Sequence, residues 1–398
     1  MALQSLQPQG GSFLRLGLAA AGALALAGCQ LVPQSRKQGA GVPEVQGPAR
    51  SADADEARLN LPPGETRNRV AILVPLSGPN AAVGQSIANA ANLALADSGS
   101  ETIRITAYDS ARGALVAANE ALADGSGLFL GPLLAEDVRA VAPAARAAGV
   151  PVVAFSNDVS TAGDGVYLLG LDPSQAIDRV VAFARSRGAM RFGALLPATV
   201  YGERAGRALA DAVQRAGGSL VAVRSYNRSA ETLRTAAAEL SGEGPFDAVL
   251  VADGARLAAA AAAPLRRGSP QLRILGTELW SSETNVGAQA ALRGAWFAGP
   301  SNANFAQLRT RYRARFGADP YRLGSLGYDA ALLAVRISQD WRIGRRFPAR
   351  ALRGEDGFTG VDGAFRFARS GIAERALQVE EVTAAGTNVL SPAPGGFR

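Results

Sequence analysis

Histidine is absent from this 398-residue chain, and cysteine and lysine occur once each, at Cys29 and Lys37. Without histidine there is no Ser-His-Asp triad, no histidine-bearing zinc site and no imidazole acid–base chemistry. A single cysteine excludes an internal disulfide, a Cys-x-x-Cys redox pair and a thiolate cluster. Lys37 stands in a polar stretch, so no P-loop, Ser-x-x-Lys acylation motif or Schiff-base lysine can be assembled on the apolar part of the chain. Aromatics are only 6% of the residues, and no stretch interleaves them with arginines as a single-strand nucleic-acid platform would. Most common enzyme designs are excluded, no carboxylate pair stands out for glycan hydrolysis, and neither metal nor cofactor is expected.

What is abundant is small apolar side chains: 48% of the residues are hydrophobic, and alanine dominates the segments of helical period. A chain of this length and content can bury the cores of two ordinary domains. The formal charge is +7, but the arginines are scattered along helical segments, which reads as solvated surface and not as a nucleic-acid site.

Residues 16–28, LGLAAAGALALAG, follow Arg15 and end in small residues, the pattern of a signal peptide over 1–28. The segment is short for a membrane span. It closes as Leu26-Ala27-Gly28-Cys29, which resembles the bacterial lipobox, where the leader is cut before a cysteine whose thiol is then lipidated. Gln30 in place of aspartate resembles the outer-membrane default of enterobacterial sorting, so the expected location is the outer membrane, lipid-anchored and facing the periplasm. From Cys29 to residue 68 the chain is rich in Pro, Gly, Ser, Gln and charge, and is expected to be a flexible tether.

From Arg69 short continuous apolar runs alternate with amphipathic alanine-rich stretches, as expected for parallel strands covered on both faces by helices. Strands are expected at 69–76, 102–109, 127–133, 150–156 and 166–170, then at 192–197, 220–226, 246–253 and 272–278. Two such series predict an α/β protein of two Rossmann-like lobes with hinge crossovers. The first lobe is expected over 69–190 and 295–340, the second over 191–294 and 341–390. The segments FTGVDGAFRFARSG and ALQVEEV are expected to form an antiparallel pair.

Over roughly 69–385 the chain resembles the type I periplasmic-binding-protein superfamily, the Leu/Ile/Val-binding-like fold. The resemblance rests on Pro75-Leu76-Ser77-Gly78 with Gly84, on Gly131-Pro132, on Ala148 to Val153, on Tyr201-Gly202, on Gly327-Tyr328-Asp329-Ala330 and on Gly357 to Gly363. Two groups within it compete: solute receptors of ABC importers for amino acids, and lipoprotein activators of penicillin-binding proteins, whose C-terminal domain has this fold. The wording GPLLAEDVRAVAPAARAAGVPVVAFSND and the lipobox resemble the activators, which implies a class A penicillin-binding protein, a peptidoglycan synthase, as partner. The helical-repeat domain that precedes this module in the best-known activators has no counterpart here; only the tether stands in its place.

Ligands of open α/β sheets bind beyond the carboxyl ends of the strands. Ser77 and Gly78 lie there and read either as an anion site or as a plain turn. Ser156 and Asn157 read as ligand donors or as caps, and Asp109 as a cap. On the second lobe Tyr201 is a candidate to close over a ligand, and Asp253 or Glu278 to meet an ammonium group, with solvated loop positions as the alternative. Trp280 and Trp296 read as packing residues.

Overall fold

The computed structural model describes residues 59–283 and 285–397. The leader, Cys29 and the tether up to residue 58 lie outside the described residues. Along the chain, β1 (Asn68–Val74), α1 (Ala81–Ser98), β2 (Ile103–Asp109), α2 (Ala114–Ala123), β3 (Ser126–Leu130), α3 (Ala135–Ala148), β4 (Val152–Ala154) and β5 (Val166–Leu168) build a parallel sheet ordered β2-β1-β3-β4-β5. The period-two geometry of a strand explains why β1 is apolar from Val70 onward: Val70, Ile72 and Val74 enter one core while Ala71 and Leu73 enter the other.

The chain then crosses into the second lobe with α4 (Pro173–Ser186), β6 (Arg191–Pro197), α5 (Val200–Arg215), β7 (Ser219–Tyr226), α6 (Ala230–Ser241), β8 (Ala248–Val251), α7 (Ala255–Gly268), β9 (Arg273–Leu275) and β10 (Trp296–Gly299). It returns to the first lobe with α8 (Asn302–Phe316), α9 (Gly324–Ser338) and a three-stranded antiparallel sheet of β11 (Phe358–Gly360), β12 (Gly363–Phe367) and β13 (Ala373–Arg375). Finally β14 (Gln378–Thr383) and β15 (Gly386–Ser391) complete the second sheet, ordered β15-β14-β10-β9-β8-β6-β7. The α/β reading of two helix-flanked, mainly parallel sheets therefore stands, the second sheet ending in the antiparallel strands β14 and β15.

The division between lobes differs from the sequence expectation. Ile177, Val180 and Val181 of α4 pack with Phe192 and Leu209, and Ala298 of β10 joins the same core, so 173–190 and 295–299 sit in the second lobe. Conversely Trp341, Phe347, Phe358, Phe365 and Phe367 pack with Val70 and Ile87 in the first. The expected pairing of FTGVDGAFRFARSG with ALQVEEV is also replaced. Phe358 pairs with Phe365 inside the first segment, while β14 runs antiparallel to β10. Residues 59–67, read as the end of the tether, lie against the first lobe: the Leu59 N–H donates to the Gly344 carbonyl at 2.7 Å, and Glu65 holds Arg69 at 3.1 Å.

The motifs that carried the resemblance have local causes. A Cβ on Gly84 would stand 1.9 Å from the Pro75 carbonyl oxygen, and one on Gly202 would stand 1.9 Å from that of Pro197. The same close approach of helix to strand end is thus built twice, once at the cleft edge of each lobe. Asp329 of α9 is buried and accepts from the N–H groups of Val361 at 2.6 Å and Asp362 at 3.2 Å, pinning the turn between β11 and β12. Beside it Asp362 pairs with Arg322, and Arg375 reaches the Leu169 carbonyl. This buried charge cluster therefore ties the first crossover to the last.

Candidate functional site at the interlobe cleft

On the first-lobe rim, the loop after β1 is fixed from β2. Asp109 accepts from Leu76 N–H at 2.8 Å and from Ala111 N–H at 3.1 Å, so it is a cap. Burial acts to raise its pKa, but the Ser77 hydroxyl and the surrounding N–H groups prevail and hold it below the usual carboxylate range. Ser77 and Gly78 are exposed; Gly78 has φ +72°, and Ser77 lines a cavity of about 330 Å³ with Asn80, Ser110 and Asp137.

The loop after β4 is organised around a residue the sequence reading passed over. Ser156 is buried and its hydroxyl accepts from Asp158 N–H at 3.1 Å, while Asn157 is exposed. Asp158 is itself buried. It accepts from Ser160 N–H at 3.1 Å and the Ser160 hydroxyl at 2.7 Å, and it meets Arg139 of α3 at 2.6 Å. Its other carboxylate oxygen lies 2.7 Å from Arg204, on α5 of the second lobe. Burial works against the charge, but the hydrogen bonds from Ser160 and the Arg204 guanidinium hold Asp158 down at about 2. The cleft is thus crossed by an ion pair belonging to the chain itself.

On the second-lobe rim Thr199 caps α5 by accepting from Gly202 N–H at 3.2 Å, which sets Tyr201 and Arg204 at the start of the helix. The Tyr201 hydroxyl lies 2.9 Å from Thr277 Oγ1 and 3.0 Å from Glu278 Oε1. Its pKa is driven strongly upward, first by burial and then by the Glu278 charge. Asp253, also buried, is committed to Arg228 at 3.0 Å and to the Tyr226 hydroxyl at 3.1 Å. Glu278 differs. Only 4% exposed, it is pushed up to about 7 by burial, and its Oε2 has no hydrogen-bond partner among the described residues. Trp280 is fully buried and donates to the Asp253 carbonyl at 2.8 Å; Trp296 packs edge-on to Phe183 with Arg273 over its ring.

The structure thus gathers Tyr201 and Glu278 into one group, sets Asp253 beside it in a separate pair with Arg228, and leaves Ser77, Gly78, Ser156 and Asn157 on the opposite lobe. Asp158 and Arg204 were missed because nothing local distinguishes an aspartate in a capping position or an arginine on an amphipathic helix. The one available signal was an acid directly following two candidate polar residues at a strand end.

The chain matches the family described as periplasmic binding protein over residues 68–387. It belongs to that family. Among solved structures, this periplasmic binding protein is similar to a putative branched-chain amino acid ABC transporter from Rhodospirillum rubrum, with 20% identity, a TM-score of 0.73, and coverage of 81% of this chain and 100% of that one. It is also similar to the C-domain of LpoA from Haemophilus influenzae, described as a regulator of PBP1A, with 20% identity, a TM-score of 0.64, and coverage of 81% and 100%. Full-length LpoA from the same organism matches at 20% identity and a TM-score of 0.62 over 84% of this chain and 59% of that one. At these identities the likeness shows the fold. An uncharacterized protein of Rickettsia prowazekii (strain Madrid E) is 25% identical over 174 residues, 43% of this chain; the match spans about half, 47%, of that relative. Of these proteins, one is described as a putative transporter and one as a regulator. No helix among the described residues is long and apolar enough to cross a membrane.

Proposed function

We propose that this protein is an envelope-tethered binding lipoprotein, anchored through Cys29 to the outer membrane and facing the periplasm, that activates a class A penicillin-binding protein in peptidoglycan synthesis. The observation that carries the reading is the Asp158–Arg204 pair at 2.7 Å. A solute receptor needs free polar groups in its cleft that a ligand can bridge, and closure is linked to the ligand that supplies the contacts. Here the chain's own guanidinium makes the bridge, Ser156 is taken by its own loop and Asp253 by Arg228. A module closed on itself is suited to present its outer faces to a protein partner. The C-domain of LpoA, which shares the fold, is described as a regulator of PBP1A and supports the choice of partner. Activation without chemistry requires tighter binding to the active than to the inactive form of the synthase. Co-purification of the full chain with a bifunctional synthase, followed by a glycan-polymerisation assay, is expected to show both binding and stimulation; absence of both overturns the proposal.

A second reading, a receptor for amino acids or similar small molecules feeding an ABC importer, is favoured by one observation, the buried Oε2 of Glu278, which follows the carboxyl end of β9 and has no hydrogen-bond partner among the described residues. A carboxylate in that state is a partner for an ammonium group. Thermal-shift titration with amino acids separates the two: a stabilisation that grows with ligand concentration supports the receptor, and a flat response removes it.

A further inference from the structure

The end of the first lobe opposite the cleft carries a different kind of surface. Between Trp341 and Gly354 the sequence places Arg342, Arg345, Arg346, Arg350 and Arg353 with no acidic residue among them; Asp340 bounds the run on one side and Glu355 with Asp356 on the other. The run follows the starts of the strands. Asn68, the first residue of β1, donates to the Trp341 carbonyl at 2.8 Å and accepts from Gly344 N–H at 3.0 Å. A Cβ on Gly149, just before β4, would meet the Arg346 guanidinium at 2.9 Å, and Arg353 lies 5.5 Å from the Tyr167 ring on β5. The band therefore runs beneath the sheet from β1 to β5, away from the cleft.

The band is held rigidly. Trp341 and Phe347 are buried and packed edge-on at 5.0 Å, and Trp341 Nε1 donates to the Arg345 carbonyl at 2.6 Å. Arg342, Arg346, Arg350 and Arg353 are exposed, and none of the four has a carboxylate partner among the described residues. Of the acids at this end, Glu65 is held by Arg69 and Asp164 by Arg146. Ile343, next to Arg342, is 56% exposed although it is large and apolar. The chain also enters the fold at this point, through the Leu59 N–H bond to the Gly344 carbonyl, one residue from Ile343.

We infer that this band is a docking surface for an anionic phospholipid membrane, with the arginines on lipid phosphates and Ile343 at the headgroup level. Guanidinium groups pair well with phosphate, an exposed aliphatic side chain gains by entering the interface, and basic residues at such a surface act together. The location of the band, where the chain enters from the side of Cys29, is what selects a membrane over an acidic protein; in this the inference rests on the proposed anchor. Docking in this way seats the first lobe on the bilayer with the cleft end pointing away, toward the partner's side.

The test uses the full chain with Cys29→Ala, so that no acyl chain contributes, in co-sedimentation with vesicles of phosphatidylcholine alone or with one-third phosphatidylglycerol. The leader is common to all variants and cancels in the comparison. Binding is expected to be stronger with the anionic lipid than with phosphatidylcholine alone, and the difference is expected to fall with salt. Arg342→Gln, Arg346→Gln and Arg350→Gln together are expected to lower the partition by about 100-fold, with thermal unfolding unchanged. Removing the same charge on the second lobe, by Arg207→Gln, Arg234→Gln and Arg267→Gln, is expected to lower it less than tenfold. Equal losses in the two triple variants, or no dependence on the anionic lipid, overturn the inference. Membrane fractionation of the unaltered chain in cells tests the anchor separately, and co-purification with the synthase in detergent tests the proposed function.

Discussion

On the first-lobe rim Asp109 and Asp158 are surrounded by N–H, hydroxyl and guanidinium donors, whereas on the second-lobe rim Glu278 keeps one buried oxygen without a donor among the described residues. The same chemical group is consequently driven in opposite directions. Donors bring Asp158 down to about 2 against the effect of burial, while burial takes Glu278 up to about 7 with only Tyr201 and a backbone N–H to resist it. The first rim is finished internally; the second retains one unsatisfied group.

The largest expected effect sharpens this contrast through pH. Glu278 has a raised folded pKa, so its contribution to stability is complete below the ordinary carboxyl value of 4.5 and is lost as pH rises through about 7. The difference between these values corresponds to about 3 kcal/mol at the upper end. Glu278→Gln removes the ionisation, and urea unfolding at pH 4.5 and pH 7.5 is expected to show the variant gaining on the unaltered chain by about that amount. Parallel pH profiles would show that Glu278 already has a partner for its charge. Asp158 has the opposite sign: its contribution is present above the ordinary aspartate value and is lost only as pH falls through about 2.

Breaking the contact between the rims comes next. Arg204→Ala removes one guanidinium from Asp158 but leaves Arg139 and Ser160 in place, so the loss is expected to be that of one charged hydrogen bond, about 2 kcal/mol. The structural consequence is more telling than the energy. Without ligand, small-angle scattering is expected to give a larger radius of gyration for the variant than for the unaltered chain, because the lobes are no longer joined at the cleft. An unchanged radius would mean that the crossovers alone, through Gln175 with Ala373 and Arg375, fix the lobes.

What could be read in the sequence and what could not follow from the same physics. Strands buried on both faces, such as RVAILV and DAVLV, stand out because both sets of alternating side chains are apolar. The stripe of Ile177, Val180, Val181 and Ala184 says that α4 buries a face, but not which sheet it buries it against. The crossovers were therefore misplaced while the architecture was legible. The candidate site shows the same limit. Tyr201 and Glu278 were picked out by their positions at strand ends and do meet, but Arg204 is set opposite Asp158 only by the tertiary arrangement of the lobes.

The smallest effect separates the two readings of Ser156. If its hydroxyl is a donor kept for a ligand, removing it changes ligand response and little else. If it serves its own loop, as the 3.1 Å bond from Asp158 N–H indicates, Ser156→Ala leaves that buried N–H without an acceptor and loosens the turn that aims Asp158 at Arg204. The expected loss is about 1 kcal/mol, read by urea unfolding. It should also be non-additive with Arg204→Ala, since both act on the placement of one carboxylate. Simple additivity in the double variant would detach Ser156 from the interlobe pair and return it to the list of groups available to a ligand.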